Sequence, residues 1–163
     1  MTASDRPRPE YQTSPLIRVL RWSGCAAAVI AAAVLSVTYG SLPEVIPTHF
    51  NGAGEADAWG PRSSVWGVLA VWFVMQALLA VLSTQPRVFN FPVPVTDANA
   101  GYLFREGERL VVLMGVALAA VFTGILLLSV QSPVGGPVLG LGLAGLLATL
   151  AFGIARLLRA DRA

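Results

Sequence analysis

Long apolar runs alternate with polar, proline-bearing connections along most of the chain. Four such runs are predicted at 22–39, 65–82, 110–130 and 138–158. A helix of roughly 20 apolar residues spans the core of a bilayer. The pattern therefore predicts an all-α integral membrane protein with four transmembrane helices and an ordered outer loop between helices 1 and 2.

The polar segments set the expected domain organisation. Residues 1–15 carry three prolines without apolar periodicity, which is typical of a disordered cytoplasmic tail. Residues 16–163 form the four-helix domain, with the outer loop at 41–64 and a cytoplasmic loop at 83–109. In the second half of that loop, Thr96 is expected to cap a helix with a solvated polar start, where Glu106 and Arg109 can pair. A signal peptide cleaved near 31–33 is the alternative for the first run, but the apolar residues continue beyond that point.

Composition and charge agree with a membrane protein and suggest its orientation. The chain is 55% hydrophobic and 12% charged, about half the charged fraction of soluble domains. With the N-terminus inside, Arg62 is the one arginine of eleven on an outer segment. This positive-inside bias predicts a multi-pass protein of the bacterial plasma membrane with both termini cytoplasmic. No basic block with interleaved aromatics suggests a nucleic-acid partner, so membrane lipid is the first expected partner.

Small residues recur four apart in the first and fourth runs, and such faces let helices approach closely. They predict close packing inside the bundle or in a homo- or hetero-oligomer. The first face is Gly24, Ala28, Ala32 and Ser36; the second is Gly136, Gly140, Ala144 and Ala148, with Gly145, Thr149 and Gly153 beside it.

The outer loop is the most distinctive polar stretch. Its prolines, Pro43 and Pro47, favour extended backbone before them, and Asn51-Gly52 is a strong turn signal. The loop is therefore expected to form a compact cap. The apolar residues expected to hold it on the helix ends are Ile46, Phe50 and Trp59.

The same loop gathers potential metal ligands, namely His49, Asn51, Glu55 and Asp57. Their spacing matches no zinc signature and no calcium loop, so His49, Glu55 and Asp57 are weak metal candidates. The main interpretation is that these groups hydrogen-bond the loop's own backbone. A partner-contact or pH-sensing role for His49 is the alternative, because histidine changes charge near neutral pH.

Catalysis requires more than one suitably placed reactive group. The single histidine has no cysteine near it, and the acidic residues of the loop have no second element of a mechanism beside them. We therefore expect a protein that is not an enzyme and that uses no cofactor.

The loop sequence LPEVIPTHFN, followed by Gly54, Asp57 and Trp59-Gly60, resembles a bacterial membrane family. This is the domain of unknown function 1648, which also begins SdpI-type immunity proteins. The family pattern is a span, then LP-x-x-IP-x-HF/W-N-x-x-G-x-x-D, then a second span, and the resemblance covers about 24–82. The motif positions filled here are Pro43, Pro47, His49, Asn51, Gly54 and Asp57.

The resemblance implies a binding and signalling role, since SdpI-like proteins protect the producing cell from a secreted peptide toxin and the type member also holds a transcriptional repressor at the membrane. SdpI-type proteins are longer than this chain and have more spans. The leading expectation is an outer loop that recognises a peptide toxin or envelope protein. The alternatives are an accessory subunit of a larger membrane transporter or envelope complex, and a protein with a metal-binding loop.

Overall fold

The computed structural model describes residues 6–7 and 11–160, so most of the predicted tail, and Arg162, lie outside the described residues. Four long helices dominate the described part, and all four are long and apolar enough to cross a membrane. They are α1 (Pro15–Thr38), α2 (Ser64–Ser83), α3 (Ala100–Ser129) and α4 (Gly135–Arg159). The prediction of an all-α membrane protein with four transmembrane helices is confirmed.

The outer loop contains a small antiparallel sheet that connects α1 to α2. Its strands are β1 (Val45–Phe50) and β2 (Ala56–Pro61). A short 3-10 turn, Tyr39–Ser41, precedes the sheet. The predicted compact cap is therefore a β-hairpin, and we call the end of the bundle that carries it the hairpin end. The opposite end, where α1 and α3 begin and α2 and α4 end, is the arginine-rich end.

Two helix boundaries differ from the prediction. Helix α1 begins at Pro15, seven residues early, because the Ser14 hydroxyl accepts from the Ile17 amide at 3.3 Å and proline suits the first turn. Helix α3 begins inside the cytoplasmic loop as predicted, but at Ala100, with Asn99 and not the predicted Thr96 as its N-cap residue. At 30 residues, α3 is about 45 Å long. That exceeds the roughly 30 Å bilayer core, so its charged first turns reach the surface layer.

The segment before α3 folds back on that helix. The Phe91 ring lies 5.8 Å from the Phe104 ring and 6.1 Å from the Phe89 ring. A Cβ added at Gly107 would lie 3.0 Å from both Phe89 and Phe91, so the glycine makes room for these rings. These two aromatic residues of the segment between α2 and α3 thus pack on the start of α3.

Helix α3 is the central helix, since it packs against each of the other three. Gln76 of α2 lies where α2 packs against α1 and α3. Its side chain is buried and donates a 2.9 Å hydrogen bond to the Gly115 carbonyl. A Cβ at Gly24 of α1 would lie 2.2 Å from the Gln76 amide oxygen. The glycine in the first predicted small-residue face therefore accommodates the one strongly polar side chain of α2.

The α3–α4 contact also depends on glycines, although mostly not those of the second predicted face. A Cβ at Gly142 would lie 2.6 Å from the Val121 backbone nitrogen, and one at Gly124 would lie 2.5 Å from that of Leu139. Gly136 and Gly140, by contrast, have nothing within 4 Å of a Cβ. Gly136 and Gly140 therefore point out of the bundle, whereas Gly153 of the neighbouring predicted row packs against Leu110 of α3, 2.4 Å from an added Cβ.

This difference gives a direct test on one helix. The Gly142→Ala variant should lose about 1–3 kcal/mol of unfolding free energy, because the added methyl overlaps α3 backbone. The Gly140→Ala variant should keep or gain up to about 1 kcal/mol, since alanine favours a helix over glycine. Thermal unfolding of both variants in the same detergent measures the difference, and equal destabilisation would contradict the described packing.

Candidate functional site

The two faces of the hairpin differ in exposure. Ile46 pairs with Gly60 and is 1% exposed, so this pair faces the helices. The adjacent pair, Pro47 and Trp59, lies on the other face because side chains alternate along a strand. Trp59 is 56% exposed. The expectation that Trp59 holds the hairpin on the helix ends is therefore wrong, whereas that for Ile46 is confirmed.

The turn between the strands is organised by Asn51. Its side-chain oxygen accepts hydrogen bonds from the Ala53 and Glu55 amides at 2.9 and 3.0 Å, and its side-chain nitrogen donates to the Glu55 carboxylate at 3.1 Å. Gly54 has a φ of +82°, a conformation that favours glycine. The interpretation that the loop's polar side chains hydrogen-bond its own backbone is thus confirmed for Asn51, whereas the Glu55 carboxylate bonds the Asn51 side chain.

His49 and Asp57 form a separate pair across the strands. The His49 Nδ1 and Asp57 Oδ1 atoms are 2.5 Å apart, and the two side chains are 69% and 45% exposed. This pair lies close to the turn, where the strand register is irregular. It fixes the direction of the imidazole while leaving most of the ring open to solvent.

The base of the hairpin is held by Arg62. Its guanidinium donates to the Leu42 carbonyl at 3.1 Å and lies 4.9 Å from the centre of the Tyr39 ring. Its backbone amide donates to the Glu44 carbonyl at 2.9 Å. The outer arginine thus ties the strands to the end of α1. Of the remaining motif residues, Pro43 is exposed before β1, whereas Pro47 is buried although its pairing partner Trp59 is exposed.

Two of the three weak metal candidates, His49 and Asp57, come together, and Glu55 bonds Asn51 instead. Within 6–7 and 11–160, no three histidine, cysteine, aspartate or glutamate side chains form a group that could hold a metal ion.

The arginine-rich end holds a second polar cluster, around two buried glutamates of α3. Glu106 is 6% exposed and lies 3.3 Å from a guanidinium nitrogen of Arg156. Glu108 is 2% exposed and forms an ion pair with Arg21 of α1. Its carboxylate also accepts from the Thr13 hydroxyl at 2.7 Å. The predicted Glu106–Arg109 pair is present at 4.0 Å, but the expectation of a solvated helix start is wrong.

Sequence reasoning missed Glu108, although the chain carries a signal for it. Residues two apart on a helix point about 200° apart, given 3.6 residues per turn. Glu106 and Glu108 therefore cannot both face solvent on a helix that is packed on several sides. One points toward α4 and the other toward α1, each to an arginine.

Residues 26–75 match the family model described as a domain of unknown function, DUF1648. The predicted resemblance is confirmed for this segment. The DUF1648 match begins within α1, includes the whole hairpin and ends within α2. The glutamates of α3 lie outside it.

One curated relative also matches. An uncharacterized protein from Archaeoglobus fulgidus is 26% identical over 103 residues, which cover 55% of this chain and 56% of the archaeal protein. The chain thus spans about half the length of that relative. Its archaeal source extends the similarity beyond bacteria. No solved structure matches the chain.

Tyr11 gives a test of the glutamate cluster from outside the membrane-spanning helices. The pKa of Tyr11 is raised from 10.0 to about 12, mainly by burial and also by the charge and hydrogen bond of Glu108. Because the pKa of Tyr11 is higher in the folded state, protonated Tyr11 contributes to folding stability. This contribution is fully present below pH 10 and is lost as the pH rises toward 12. The tyrosinate absorbance of wild type minus Tyr11→Phe should therefore show a midpoint near 12.

The matched control is Tyr102→Phe, which removes a tyrosine of α3 that binds the Arg156 carbonyl and not Glu108. The Glu108→Gln variant should bring the Tyr11 midpoint down toward the ordinary value. A Tyr11 midpoint of 10 in wild type would contradict the described contact.

Proposed function

We propose that this protein is a non-enzymatic membrane protein that recognises a partner through its hairpin. The observation that carries the proposal is a hairpin held from inside by the buried Ile46, whose His49, Asp57 and Trp59 side chains stay exposed. The exposed hairpin surface consists of Val45, His49, Asp57 and Trp59, with Val45 at 55% and Trp59 at 56% exposure.

Rigidity and exposure favour recognition for a physical reason. A two-stranded hairpin alone is at best marginally stable in water, so the Asn51 turn and the buried Ile46 supply the order. A preorganised surface loses little entropy on binding, and exposed tryptophan is enriched among residues that dominate binding energy. The hairpin lies within the DUF1648 match, which is further support.

The finer parts of the proposal follow from the sequence. The hairpin faces outward from the plasma membrane and both termini are cytoplasmic, supported by the arginine bias. The resemblance to SdpI-type proteins favours a peptide toxin or an envelope protein as the partner. The arginine-rich end, with the segment between α2 and α3, then passes the bound state to a cytoplasmic regulator.

The accessory-subunit alternative has an observation of its own. Gly136 and Gly140 have no neighbour within 4 Å of a Cβ, and α4 is the least buried of the candidate spans. Such a face would let a helix of another subunit approach closely. In this alternative α4 docks on a larger membrane complex and the hairpin is secondary.

Affinity capture in mild detergent distinguishes the two proposals. The Trp59→Ala and His49→Ala variants should each reduce partner recovery, by about 30-fold for a residue that contributes about 2 kcal/mol. The control is Val37→Ala, at an α1 position that is 87% exposed and is not part of the exposed hairpin surface. Recovery that survives both hairpin changes but is lost in Gly140→Leu would contradict the hairpin proposal and favour docking through α4.

A further inference from the structure

The arginine-rich end carries more positive charge than its glutamates balance. Around the buried Glu106 carboxylate lie Arg156 at 3.3 Å, Arg105 at 3.9 Å and Arg109 at 4.0 Å. The three arginine side chains are between 48% and 57% exposed. Three positive charges thus surround one negative charge, and they remain accessible from outside the bundle.

Two cavities meet at this cluster. One, of about 440 Å³, lies between the start of α1 and α3 and is lined by polar residues such as Thr13 and Tyr102. The other, of about 240 Å³, lies between α3 and α4. Glu106, Arg109 and Arg156 line both cavities. The charged cluster therefore stands where a polar space meets the α3–α4 groove.

The α3–α4 groove leads away from the charges along apolar walls. Leu110 and Leu113 of α3 and Phe152 of α4 line it. Phe152 is 72% exposed, so the groove opens to the outer surface of the bundle, where lipid chains lie. A Cβ at Gly153 would lie 2.4 Å from Leu110, which shows how closely the helices approach on its inner side.

We propose that this cluster and groove bind one anionic phospholipid, with its phosphate on Arg109 and Arg156 and an acyl chain along Leu110, Leu113 and Phe152. Arginines between transmembrane helices at the membrane surface are suited to lipid phosphates. The excess of positive charge selects a lipid with a net negative headgroup, because a choline group would add a further cation. The apolar groove selects an amphiphile over a free anion.

Native mass spectrometry of the detergent-purified full chain tests the headgroup half of the site. The complex with dioleoylphosphatidylglycerol should form at a lower lipid concentration than the complex with dioleoylphosphatidylcholine. Arg109→Gln should weaken phosphatidylglycerol binding about fivefold, the effect of about 1 kcal/mol per arginine at a membrane surface. The matched control is Arg18→Gln, which removes the same charge from an exposed α1 position at the same end. Equal binding of the two lipids by wild type, or equal losses in both variants, would overturn the proposal.

The acyl-chain half is tested by a second matched pair on α4. Phe152 and Leu141 are both 72% exposed, but only Phe152 lines the groove. Phe152→Ala should weaken phosphatidylglycerol binding several-fold, since it removes apolar contact with the chain, whereas Leu141→Ala should not. Equal effects would overturn the assignment of the groove. The lipid comparison needs no variant, so it decides the headgroup question even if a substitution impairs folding.

Discussion

The ion pair between Glu108 of α3 and Arg21 of α1 is the constraint on which the rest of the fold depends. A charged side chain inside a membrane protein is expensive unless it is paired, and Glu108 is only 2% exposed. Removing one partner of such a buried pair typically costs about 3–5 kcal/mol. The pair therefore fixes α1 against α3, and Gln76 continues that contact deeper in the bundle.

The two ends of the bundle are held together by different interactions. At the arginine-rich end, Glu106 and Glu108 point to opposite sides of α3 and tie it to α4 and α1. At the hairpin end, Ile46 is buried against α1, α2 and α3, while Arg62 closes the base of the strands. Charge thus positions the helices at one surface, and the exposed hairpin is carried at the other.

Sequence periodicity was sufficient for the four spans because each is a long apolar run, and the turn signal at Asn51 correctly located the reversal of the hairpin. The buried faces of the helices and strands were harder to predict. Trp59 and Glu108 were misjudged or missed because strand register and helix rotation decide which side chain is buried, and both depend on distant partners. The same holds for Gly142, which packs on α3, whereas Gly140 remains open.

The orientation that we propose, with the hairpin facing outward and the arginine-rich end facing the cytoplasm, is the central claim. Labelling intact cells with a membrane-impermeant maleimide tests it most directly, because Cys25 is the only cysteine and can be replaced by serine. In that background, Ala58→Cys in the exposed part of β2 and Gln12→Cys before α1 report on the two ends. The account predicts labelling at position 58 in intact cells and at position 12 only after lysis. The reverse pattern would contradict it.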